Sequence, residues 1–128
     1  MSVLAIEKVN LVFVYGTLKE GFGNSCVMRD GKKLFDAVTT EGFDMWDVGS
    51  GFPCITPNYG GSGVSGELWA VSNDDMIGLD RLESEGFMYA RVEGDVLCEG
   101  VTSPVKCWMY VWMKGVEGME IVGDGVWK

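Results

Sequence analysis

The 128 residues are 47 % hydrophobic, enough apolar content to bury a core, and their number suits a single domain spanning 1–128. A net charge of −9, with arginine only at Arg29, Arg81 and Arg91, offers no basic stripe to a phosphate backbone. Neither nucleic acid nor a membrane is therefore an expected partner.

No run of about eighteen apolar residues suits a membrane span. Met1 to Asn10 lacks the basic start and long apolar stretch of a secretory leader, so the expected location is cytoplasmic. In chain order, Leu11 to Tyr15 is a continuous apolar run that stops at Gly16, the pattern of a buried strand. Asn24 to Asp30 suits a short helical turn, ended by the Asp30-Gly31 turn signal. Phe35 to Val48 reads as extended structure broken near Gly42. Gly49-Ser50-Gly51 then reads as a loop entering Phe52-Pro53, with Pro53 shaping it. Asn58 to Gly63 is a second loop, leading into a strand from Val64 to Val71.

Ser72 suits a helix N-cap, with Asp74 and Asp75 in the first turn where the helix dipole favours negative charge. That helix is expected to reach Glu83 or Ser84 and to end near Gly86. Two strands follow. In Met88 to Leu97, Met88, Ala90 and Val92 alternate with Tyr89, Arg91 and Glu93. Pro104 to Met113 is largely apolar on both faces. Met119 to Val122 suits a last short strand. Many short strands with one or two helices predict an α+β domain, with a closed or partly closed barrel.

The chain has no histidine, and its cysteines (Cys26, Cys54, Cys98, Cys107) show no CxxC spacing. A Cys/His metal site is not expected, and the cysteines read as reduced, small apolar residues. Without histidine, Ser–His–Asp and Cys–His nucleophiles are excluded. Proton transfer would fall to a carboxylate, tyrosine, lysine or cysteine.

One carboxylate falls where a helix turns inward. At about 100° per residue, Met76, Leu79 and Leu82 share an arc, and Glu83 projects into the middle of it while Glu85 points to the opposite side. Burial there would raise its pKa toward neutrality, where a carboxyl serves best as a proton shuttle. A plainer reading has Glu83 bend to solvent at a frayed helix end, or pair with Arg81 or Arg91. Asp80, near the same arc, either repels Glu83 or is a structural partner. The second feature is Tyr15-Gly16-Thr17-Leu18 after the first strand. A glycine there lets backbone N–H groups turn toward an anion or a polarised carbonyl, although many strand ends carry glycine merely to turn the chain.

Together these features resemble the gamma-glutamylcyclotransferase superfamily, including its gamma-glutamylamine cyclotransferase and AIG2-like branches. The resemblance runs from Val12-Phe13-Val14-Tyr15-Gly16-Thr17-Leu18-Lys19, with Gly21 and Asn24, through Ala37 to Phe43 and Asp47-Val48-Gly49 before Phe52-Pro53. It continues in Gly66-Glu67-Leu68-Trp69, in Leu79-Asp80-Arg81-Leu82-Glu83 followed by Tyr89 and Arg91, and in Trp108-Met109-Tyr110-Val111. It covers residues 10 to 113. Ser84 departs from the pattern, since the family commonly has glycine after its catalytic glutamate.

The resemblance implies a small mixed β-barrel with short flanking helices and a cavity at the end of the first strand. It implies an acyltransferase- or lyase-class enzyme, without metal or cofactor, acting on a small-molecule gamma-glutamyl substrate as a monomer or homodimer. The substrate's α-amine would attack its own γ-carbonyl, giving 5-oxoproline and a released amine or amino acid. Glu83 would be the acid–base residue. Backbone N–H groups around Gly16, Thr17 and Leu18 would hold substrate oxygens, and Tyr15, Tyr89 and Tyr110 would line the pocket. Two rival functions are a non-catalytic ligand-binding or interaction module of the same fold and a different amidase or acyl transfer. Arg91 is expected to pair with an acid rather than bind substrate.

Overall fold

An uninterrupted apolar run has two faces to bury, and Val12, Phe13 and Val14 are all buried in β1 (Asn10–Val14). Successive side chains point to opposite sides. Val12 and Val14 join an apolar cluster with Met76, Leu79 and Trp112, and Phe13 joins another with Ala37, Leu68, Val96 and Met109. The structure, a computed structural model, describes residues 9–16, 18–19, 21, 28, 31–49, 51–83, 86 and 88–128.

Along the chain follow β2 (Lys32–Thr39), β3 (Phe43–Asp47), β4 (Pro53–Pro57), β5 (Ser65–Val71), α1 (Asn73–Leu82), β6 (Tyr89–Cys98), β7 (Val105–Trp112) and β8 (Glu120–Ile121). Five strands close a barrel in the order β1-β5-β2-β6-β7. Its pairs are antiparallel except β1 with β7, which run parallel at Val12 and Trp108. Every barrel strand contributes to the cluster around Phe13 and Met109, which is therefore the barrel interior. Gly94 makes room there, because a Cβ on it would stand 2.6 Å from Met109 Cε. The remaining strands form a small antiparallel sheet, β4-β3-β8. The α+β class and the mixed barrel expected from the sequence are both present. Among the described residues, no helix is long and apolar enough to cross a membrane.

Four details depart from the sequence reading or lie beyond it. Pro53, read from the sequence as shaping a loop, opens a strand, β4. Its prolines cannot donate to a ladder, but β4 lies at the edge of its sheet and pairs only with β3 there, where proline is tolerated. On α1 the buried residues are Asp75, Met76 and Leu79, whereas Leu82 is 41 % exposed, because the helix ends just there and leaves it at a rim. On β6 the expected apolar face is not the covered one. Tyr89 is buried beneath Trp112 (ring centroids 5.1 Å apart), and Val92 is 36 % exposed. The helical turn expected at Asn24–Asp30 falls outside the described residues except for Met28, which is buried.

The start of α1 follows the sequence closely. Ser72 is extended, and its Oγ accepts a hydrogen bond from the Asp75 N–H at 3.1 Å. That bond satisfies one of the helix's orphan donors and fixes which residues face the barrel. Ser72→Ala is expected to cost about 1 kcal/mol of stability, and Ser72→Gly only a few tenths, in urea unfolding at constant m-value.

Candidate active site

The end of β1 opens into a cavity of about 200 Å³. Its lining comes from distant parts of the chain: Phe13, Val14, Tyr15, Gly16 and Leu18 at the end of β1, and Phe52 and Pro53 at the start of β4. Leu82 and Glu83 enter from the end of α1, Met88 and Tyr89 from the start of β6, and Tyr110 from β7. Among residues singled out by sequence, Tyr15, Gly16, Leu18, Glu83, Tyr89 and Tyr110 thus meet on one cavity. Thr17, Ser84 and Glu85 lie outside the described residues.

Local backbone geometry delivers Glu83 to the cavity. It is the C-cap of α1, with its N–H bonded to the Leu79 carbonyl at 2.9 Å, so it keeps the facing set by Met76 and Leu79. Gly86 then adopts φ +83°, a left-handed conformation natural to glycine, and its N–H bonds to the Tyr89 carbonyl at 2.7 Å. This reversal brings Tyr89 back beside Glu83. Across the cavity, Lys19 N–H closes a turn onto the Gly16 carbonyl at 3.1 Å. A Cβ at Gly16 would stand 2.8 Å from both Cδ and Cγ of Pro53, a rigid ring, so the turn comes this close to β4 only with glycine.

The tyrosines commit their hydroxyl protons to the framework. Tyr15 donates to the Tyr110 carbonyl at 2.7 Å, Tyr89 to the Pro53 carbonyl at 2.8 Å, and Tyr110 to Asp80 Oδ1 at 2.6 Å. Burial raises all three well above the ordinary tyrosine range, and Glu83 raises each further by like-charge repulsion. None of the three ionises near neutrality. Cys54, packed close by, is pushed up to about 12 by burial. Glu83 differs: its partly buried carboxyl is raised from 4.5 to about 7, and desolvation is the cause. Asp80 has partners of its own. That carboxylate accepts from Tyr110 and forms an ion pair with Arg91, whose Nε lies 2.9 Å from Oδ1 without the alignment of a hydrogen bond. Arg91 thus pairs with an acid, as its sequence context suggests. Among the described residues, no three metal-ligating side chains converge.

Sequence reasoning missed Phe52, Leu82 and Met88 as lining residues and gave Pro53 only a loop-shaping role. They reach the cavity through tertiary contacts, such as the Tyr89–Pro53 bond across 36 residues, which no local pattern announces.

Comparison with known proteins now bears on this geometry. Residues 12–128 match the family described as gamma-glutamyl cyclotransferase, AIG2-like. The chain belongs to that family. It is 30 % identical over 117 residues to the gamma-glutamylcyclotransferase family protein YtfP of Escherichia coli, covering 91 % of this chain and 94 % of that one. It is 37 % identical over 106 residues to the gamma-glutamylaminecyclotransferase of Bos taurus, covering 77 % and 63 % respectively. The crystal structure of an AIG2-like protein from Mus musculus superposes with a TM-score of 0.77 at 28 % identity, covering 87 % of this chain and 82 % of that one. Family membership and barrel agree.

The raised Glu83 carboxyl has a consequence for stability. Between pH 4.5 and 7 the folded protein keeps a proton on Glu83 that the unfolded chain releases. Folding stability therefore falls as pH rises through that window. With partial solvent screening the loss is about 1–3 kcal/mol. Urea unfolding from pH 4.5 to 8 should show this decline in the wild type and a flatter profile in Glu83→Gln, with the variant the more stable at pH 8.

Proposed function

We propose that this protein cyclises a gamma-glutamyl group to 5-oxoproline, releasing an amine or amino acid, with Glu83 as the general acid and base. The observation that carries this reading is a carboxyl with a pKa of about 7, facing a cavity whose other described walls are apolar and tyrosine side chains. A substrate α-ammonium is not a nucleophile. Ionised Glu83 takes its proton, the free amine closes on the γ-carbonyl carbon, and the C–N bond to the leaving amine breaks as Glu83 returns that proton to the leaving nitrogen. The same carboxylate then carries the second proton from the ring nitrogen to the released amine, which departs as an ammonium ion. The carboxyl ends the cycle in its starting form, and no other group need titrate.

Ring closure is intramolecular, so holding the chain folded back on itself supplies much of the rate. The apolar walls formed by Phe52, Pro53, Leu82 and Met88 limit water around the reacting atoms. Backbone N–H groups of the Gly16–Leu18 turn hold substrate oxygens, a role that suits a turn pressed against Pro53 with no side chain between. Tyr15, Tyr89 and Tyr110 shape the pocket with their rings while their hydroxyls brace the wall. The name of the bovine relative makes gamma-glutamylamines natural members of a substrate panel.

The test is release of 5-oxoproline from a panel of gamma-glutamyl amino acids and amines. The wild type should turn over at least one member, and Glu83→Gln should lower kcat by about 100-fold or more with its fold intact. Failure across the panel would favour a ligand-binding module, and full activity in the variant would remove Glu83 from the mechanism.

A further inference from the structure

We propose, resting on the proposed part of the Gly16–Leu18 turn in holding substrate oxygens, that Lys19 is a positioning residue that fastens this turn to the segment 119–128. Leu18 lines the cavity, and Lys19 follows it directly, its own N–H closing the turn onto the Gly16 carbonyl at 3.1 Å. A lysine beside a surface turn ordinarily extends its ammonium into water. Here Lys19 is only 9 % exposed, and its Nζ donates to the Trp127 carbonyl at 2.6 Å, across 108 residues. Burial lowers its pKa, and the carboxylates of Glu67 and Asp36 act against that by attraction. An ammonium taken this far from water is costly unless it is bonded, so the carbonyl and the nearby carboxylates are what keep it there.

The acceptor is itself a fixed point. The Val122 N–H bonds to the Met45 carbonyl of β3 at 2.7 Å, and the Ser65 N–H at the start of β5 bonds to the Gly125 carbonyl at 2.9 Å. Gly125 has φ +67°, and a Cβ there would stand 2.8 Å from the Gly63 carbonyl oxygen, so the segment passes this close only with glycine. Trp127 then packs against the barrel-interior cluster that includes Phe13 and Tyr15. The segment is thus anchored on β3, on β5 and on the barrel cluster independently of Lys19. Gly16 holds one end of the turn against Pro53, and Lys19 holds the other to Trp127. A turn pinned at both ends keeps its N–H groups aimed before substrate arrives, which lowers the ordering cost of binding.

The test is Lys19→Met, which keeps an apolar stem and removes the donor. Amide hydrogen exchange reads the turn: the amide at position 19 should exchange about tenfold faster or more, while amides of the barrel strands keep their rates. With the best gamma-glutamyl substrate, KM should rise about tenfold and kcat should change by less than about twofold, the mark of lost substrate binding rather than lost acid–base chemistry. Lys33→Met is the control. Lys33 also faces Glu67, at 3.3 Å, and its replacement removes the same charge. Both readouts should stay within about twofold of the wild type there. Unchanged exchange at position 19, acceleration spread evenly over the barrel, or the same effects in Lys33→Met would each overturn the proposal. So would faster exchange with KM unchanged. If Lys19→Met does not fold, Trp127→Ala, which removes the ring that anchors the acceptor, decides by the same two readouts. Faster exchange in Lys19→Met with no turnover by the wild type would count against the proposed function and not against the tether. Turnover with normal exchange would do the reverse.

Discussion

A carboxyl partly removed from water, beside tyrosine hydroxyls whose protons are already given to the framework, is the constraint on which the site depends. Desolvation raises Glu83 to about 7. Each tyrosine hydroxyl has a single proton to give, and Tyr15, Tyr89 and Tyr110 give theirs to the Tyr110 carbonyl, the Pro53 carbonyl and Asp80. A donor turned to Glu83 would stabilise its ionised form and pull the pKa down. The same bonds tie the segment just after β1 to β7, β6 to β4 and β7 to α1, so the scaffold and the electrostatics of the cavity are one network.

Precision in this network comes from ordinary local rules. Ser72 sets where the helix starts, Met76 and Leu79 set which side meets the barrel, and ten helical residues later Glu83 is aimed at the end of β1. Gly86 reverses the chain so that Tyr89 enters next to it. Gly16 lets the turn after β1 press against Pro53. A cap, a reversal and a close-packed turn of this kind suit the proposed ring closure, whose main requirement is to hold one flexible substrate folded on itself.

Much of this was legible before any coordinates. The β1 run, the β5 and β7 strands and the Ser72 cap follow from patterns within about ten residues of each other, where periodicity and capping speak directly, whereas for Glu83 periodicity leaves an inward-facing carboxyl and one bent to solvent both open. The edge strand Pro53–Pro57 was hidden because its prolines signal a loop unless the sheet edge is known. Leu82 was assigned to the core by its angle on the helix, but angle does not tell where the supporting wall stops. The engagement of Asp80 by Tyr110, across 30 residues, has no local signature either, and the sequence left the choice of Arg91's partner open.

The most direct test sets two midpoints side by side: the titration of the Glu83 carboxyl in the free protein, and the acid limb of kcat/KM for the best gamma-glutamyl substrate. The latter reports the ionisation of the free enzyme's essential base. Both should fall together near pH 7. A Glu83 that titrates with ordinary carboxyls near 4.5, or a rate limb that departs from its titration, would contradict the account.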